Sequence, residues 1–132
     1  MAVGKMSTPL ARVRGFGAAK SGSEHFWHQR LTAVANVPLT IAFVLIVVSL
    51  LPRNHAGAAQ VLGSPLVAII MLLFIISGAI HMRIGMQVII EDYVHEEPMR
   101  LVLVMLNTFF AFAVALASVY AVFKLSFGVF GV

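Results

Sequence analysis

The chain contains no cysteine. That excludes disulfides, thiolate zinc sites, cysteine nucleophiles and iron–sulfur ligation by this chain. Charge is also scarce: Asp, Glu, Lys and Arg make up 11% of the residues, against about a quarter in a soluble domain. No phosphate loop, catalytic triad or metal-spacing motif is present. There is no internal repeat and no pair of interrupted apolar segments, which argues against a small transporter. What fills the 132 residues is apolar: 61% are hydrophobic and the mean hydropathy is +1.00. Such a composition belongs to an integral membrane protein, and one small domain is all this length holds. The net charge of +4 is no sign of nucleic-acid binding. Most of the positive charge precedes the first apolar run, as topology signals do.

Residues 1–23 are polar, small and basic, with Lys5, Arg12, Arg14 and Lys20. They have no apolar core of their own and read as an exposed arm ahead of a transmembrane domain over 24–132. No apolar h-region follows the basic residues, so the arm lacks the form of a signal peptide. A short transit peptide is the lesser reading of its Arg/Ser bias. Residues 24–30, with Phe26 and Trp27, suit the headgroup level, and Arg30 stands where the apolar sequence begins. Three spans are predicted, over 31–51, 64–92 and 100–124, each near or above the roughly 20 residues a bilayer needs. Pro38 is placed to kink the first. Pro52, Arg53 and Asn54 break the chain, and an Ala/Gly-rich loop is expected up to about Gly63. Glu91 to Arg100 reads as the second loop, and the segment after Lys124 as an interfacial tail. The fold class is all-α: an integral membrane bundle of three transmembrane helices. The basic residues ahead of the first span set the amino terminus inside, with the second loop on the same side.

The longest apolar stretch, Ser64 to Ile90, carries His81 and Arg83 and ends in Glu91-Asp92-Tyr93. Ionisable groups inside a membrane helix are expensive and usually face a partner, a cofactor or a cavity. At about 100° per residue, Ser77, Gly78, Gly85, Val88 and Asp92 lie within roughly 60° of His81, whereas Arg83 points nearly the opposite way. His81 precedes Asp92 by roughly 16 Å along a helix axis, which puts it near mid-membrane. Two readings of this face stay open. One is close helix packing through small residues, with His81 hydrogen-bonded to a neighbouring helix. The other is a flat ligand lying against it.

The chemistry of the second reading is specific. A neutral imidazole in a dry site is a good axial iron ligand. An interfacial arginine can pair with a haem propionate. A tyrosine hydroxyl beside a carboxylate can bond a quinone carbonyl and assist proton uptake.

The pattern His-x3-Gly-x6-Asp-Tyr, as His81, Gly85, Asp92 and Tyr93 in a second span, resembles the small D-type membrane anchor of succinate dehydrogenase (complex II). The segment 25–33, His-Phe-Trp-His-Gln-Arg-Leu-Thr-Ala, is similar to that family too. The resemblance implies that His81 ligates the iron of haem b, with the second ligand from a C-type anchor subunit. It implies that Tyr93 contacts ubiquinone with Asp92 nearby, and that Arg30 lies near the haem propionates and the quinone pocket. Arg83 has no counterpart among the family's functional residues. The implied partners are the C-type anchor, an iron–sulfur subunit, a flavoprotein subunit and membrane lipid. The implied role is to let electrons from succinate oxidation reach the quinone pool. The implied location is the bacterial inner membrane, with the mitochondrial inner membrane second. The competing class is a structural or assembly membrane protein with no cofactor.

Overall fold

The structure, a computed structural model, describes residue 10 and residues 21–129. The basic residues of the expected arm, and residues 130–132 of the expected tail, lie outside the described residues. Four helices follow in order: α1, Ser21–Leu50; α2, His55–Gly63; α3, Pro65–Tyr93; and α4, Glu97–Val129. No strand occurs among the described residues. Three of the helices are long and apolar enough to cross a membrane: Ser23–Leu50, Pro65–Tyr93 and Glu97–Gly128. The three spans read from the sequence are therefore present: the first helix begins ten residues earlier, the second matches within one residue at each end, and the third extends beyond both expected ends.

The helix ends follow from their sequences. Pro52 cannot continue α1, and Arg53 turns back so that its Nε donates to the Ser49 carbonyl at 3.0 Å. Asn54 then caps α2, its Oδ1 accepting from the Gly57 N–H at 2.9 Å. The stretch expected to be a loop is thus largely a short helix, because an N-cap follows directly on the breaker. Ser64 closes α2, its hydroxyl donating to the Val61 carbonyl at 2.8 Å. Pro65 opens α3 in the first turn, where its missing N–H costs nothing. Only Val94, His95 and Glu96 separate α3 from α4, so the second loop is shorter than expected. Pro98 lies in the first turn of α4, and that helix runs through Lys124 to Val129. At 29 residues α3 is about 43 Å long, more than the roughly 30 Å hydrocarbon layer.

The long helices form a row. α3 lies between α1 and α4 and packs on both, while α1 and α4 do not touch; α2 rests mainly on α4. Near the end of the row that holds α2, Phe43 of α1 stacks on Phe74 of α3 with centroids 4.7 Å apart. At the same end Ser126 of α4 donates to the Gly63 carbonyl at 3.3 Å. The core is thin: Ala68, Ile84, Ala111 and Val122 are its buried apolar residues. Most large apolar side chains face outward. In lipid that is the expected state, since hydrocarbon, not water, meets them.

Candidate functional site

Two seams flank α3, and each holds one buried polar side chain. Toward α1, Thr32 is 8% exposed; toward α4, Asn107 is 8% exposed. Asn107 donates through Nδ2 to the Arg83 carbonyl at 2.9 Å. Thr32 and His81 share a hydrogen bond, with Oγ1 and Nδ1 3.2 Å apart. The Ser77 hydroxyl, one turn before His81, reaches the Thr32 carbonyl at 3.5 Å. One turn after His81, Gly85 lies against Gln29: a Cβ added there would stand 3.2 Å from the Gln29 Nε2. Ser77, His81 and Gly85 therefore share a face that meets α1, while Gly78 lines a cavity beside α4.

Ser77 and Gly85 are half-buried, each meeting α1 on one side. Gly78 is the open position, with nothing within 4 Å of where a Cβ would stand. His81 itself is half-buried. Its Nδ1 is engaged by Thr32, and its Nε2 has no hydrogen-bond partner among the described residues.

The other expected site residues stand apart from this seam. Arg30 precedes Thr32 by two positions, which on a helix points it to nearly the opposite side. It is exposed, with its guanidinium carbon 4.7 Å from the Phe26 ring centroid. Asp92 is exposed and Tyr93 is 78% exposed. Both end α3, roughly 16–18 Å along its axis from His81. Neither side chain makes a hydrogen bond among the described residues. α1 and α3 run antiparallel, since Thr32 meets His81 while Gln29 meets Gly85. The start of α1 and the end of α3 therefore share one end of the row. Arg83 is exposed; its backbone, not its guanidinium, serves the α4 seam.

Three polar residues of the first span received no role from the sequence: Gln29, Thr32 and Asn36. All line the α1 side of the seam, and the Gln29 Oε1 and Asn36 Oδ1 are buried without a hydrogen-bond partner among the described residues. Their spacing of three and then four residues was the available signal, since it puts all three on one helix face. No group of three or more His, Asp or Glu side chains comes together among the described residues.

A three-span helical chain with one half-buried imidazole in its middle helix, and a polar seam beside it, defines an integral membrane subunit. The family described as succinate dehydrogenase/fumarate reductase transmembrane subunit matches residues 4–115, so the chain belongs to that family. A succinate dehydrogenase hydrophobic membrane anchor subunit of Paracoccus denitrificans is 31% identical over 121 residues, 92% of this chain and 93% of the relative. One from Rickettsia bellii is 30% identical over 116 residues, 86% of this chain and 91% of the relative. A succinate dehydrogenase membrane anchor subunit of Reclinomonas americana is 32% identical over 94 residues, 69% and 78% of the two chains. No solved structure matches. With three apolar helices and these relatives, the chain is a multi-pass membrane anchor of the succinate dehydrogenase type, and the Paracoccus and Rickettsia relatives fit a bacterial membrane.

Proposed function

We propose that this chain helps bind haem b and ubiquinone in a succinate:quinone oxidoreductase of the bacterial inner membrane. The observation that carries the reading is His81. Its imidazole sits near the middle of a membrane helix, half-buried, held through Nδ1 and without a partner at Nε2 among the described residues. An ionisable side chain at that depth points to a function, and an imidazole with one free nitrogen is what axial iron ligation requires. The residues fit a haem whose iron takes one ligand here and one from a second, C-type anchor. When bound, haem supplies one-electron chemistry. The chain's own part is to hold the iron through His81 and to join the two anchors across the open side of α3. Arg30, exposed on α1, is available to a propionate. Tyr93 offers its hydroxyl to a quinone carbonyl at the inner end of α3, with the Asp92 carboxylate beside it for proton handling. An iron–sulfur subunit and a flavoprotein subunit complete the path from succinate.

A second reading has two contacts in its favour. The His81–Thr32 bond and the Gln29–Gly85 contact are also what close helix packing produces. A structural or assembly protein without cofactor needs nothing more. The reduced-minus-oxidised visible spectrum of the purified complex separates the two. The haem reading expects a low-spin b-type signature that co-purifies with this chain, a second anchor, an iron–sulfur protein and a flavoprotein. Their co-purification with no haem signature supports the structural reading instead. The same account sets the amino terminus inside, so a carboxy-terminal reporter should report the outer side. One active on the inner side contradicts that topology.

A further inference from the structure

We infer that Thr32 is the positioning residue for His81: it fixes which imidazole nitrogen carries the proton and thereby tunes the ligand that Nε2 presents. The inference rests on His81 as a haem ligand. A threonine hydroxyl has one hydrogen to give. The Thr32 Oγ1 lies 2.7 Å from the His28 carbonyl and 3.2 Å from the Gln29 carbonyl. The shorter distance is the usual one for a strong O–H···O bond, so the hydrogen points at the backbone. The reverse arrangement, with Thr32 donating to His81, would leave two oxygens 2.7 Å apart with no hydrogen between them. The oxygen can then only accept from His81, and Nδ1 is the N–H. In the neutral ring the lone pair falls to Nε2. The chain of donation runs from the His81 Nδ1–H to the Thr32 hydroxyl to the His28 carbonyl.

Two further features hold this arrangement. Thr32 is 8% exposed, so little solvent competes for its oxygen. Its branched side chain, bonded back one turn, has little rotamer freedom. Hydrogen bonding at the second ring nitrogen makes a histidine a stronger donor to its metal and fixes the ring. A stronger donor favours the ferric state. Thr32 therefore holds the potential of the haem down and its iron–histidine bond tight, without touching the haem.

The test uses the whole complex with Thr32→Val, which keeps the shape and removes the acceptor, and Thr32→Ser, which restores it. Three readouts are taken: the haem midpoint potential, the low-spin electron paramagnetic resonance g-values, and haem retention in detergent. Thr32→Val should keep a haem whose retention is weakened roughly 10- to 100-fold, the usual cost of losing such a partner. Its potential should rise by about 59 mV for each tenfold loss of ferric preference. Thr32→Ser should match the wild type. Wild-type potential and g-values in Thr32→Val overturn the inference, as does a Thr32→Ser that behaves like Thr32→Val, because a retained hydroxyl then fails to hold the ligand's character. If Thr32→Val yields no complex, Thr32→Cys takes its place, since a thiol is a weaker acceptor. An intermediate potential is then expected, and a wild-type one overturns the inference. His81→Ala separates the two levels. An unchanged low-spin haem there defeats the ligand reading itself. Loss of that haem together with an unaltered Thr32→Val defeats only the role of Thr32.

Discussion

The two seams of α3 use the same device to different ends. On the α4 side Asn107 donates to the Arg83 carbonyl at 2.9 Å, and the contact ends on backbone that belongs to the helix. On the α1 side the Thr32 bond ends on an imidazole, and the other nitrogen of that ring has no hydrogen-bond partner among the described residues. A buried polar contact that stops at backbone is complete in itself, and packing accounts for it. A contact that stops at an ionisable ring also fixes where the ring's second nitrogen stands, which the haem reading uses and the packing reading does not. On the proposed reading the α1 seam serves function and the α4 seam structure, although Thr32 and Asn107 are equally covered.

Substitutions can break or sharpen that contrast. The largest effect is expected from His81→Ala, which should abolish the low-spin haem signature and loosen the complex in detergent, as seen by spectrum and by size-exclusion chromatography. Part of the quinone reduction should survive, because Tyr93 lies roughly 18 Å along the helix from His81. Next comes Tyr93→Phe, away from both seams. It should leave the haem spectrum intact and lower quinone reduction by about 5- to 150-fold, the worth of a bond of about 1–3 kcal/mol. Steady-state quinone kinetics at wild-type level would remove Tyr93 from the site. Asp92→Asn should act in the same assay more weakly. Asn107→Leu belongs to the structural seam. It should cost about 1 kcal/mol of stability, read by denaturant titration in detergent, with haem spectrum and potential unchanged. A shifted potential there would erase the distinction between the seams. The smallest effect is expected from Gly78→Ala, where space is open within this chain, compared with Gly85→Ala, where Gln29 must give way at 3.2 Å. A larger loss of stability or haem retention for Gly78→Ala would show that the open position is the occupied one in the complex.

Much of this was legible in the sequence. The three spans follow from apolar length, and helical periodicity alone puts Ser77, His81 and Gly85 on one face. The direction of that face was not legible, because a single helix does not say which neighbour it meets. Its coverage by Gln29 and Thr32 appears only once α1 is laid antiparallel to α3. Thr32 escaped notice because a hydroxyl inside an apolar run is unremarkable until its partner is known. α2 was read as loop because its residues are small and Gly-containing. The capping Asn54 was the countersignal, since its side chain starts the helix that Pro52 seemed to forbid. Asp92 and Tyr93 were read as closing the second span, and they stand at the end of α3, exposed; on the proposed reading, what they face belongs to other subunits.

Ligand identity at the iron is tested most directly by exchange rather than loss. In His81→Met the free imidazole nitrogen is replaced by a thioether, which also ligates haem iron and raises its potential. The purified complex should retain a low-spin haem with histidine–methionine spectroscopic character and a midpoint potential above that of the wild type. A bis-histidine spectrum and potential unchanged from wild type would contradict the account and leave His81 a packing residue.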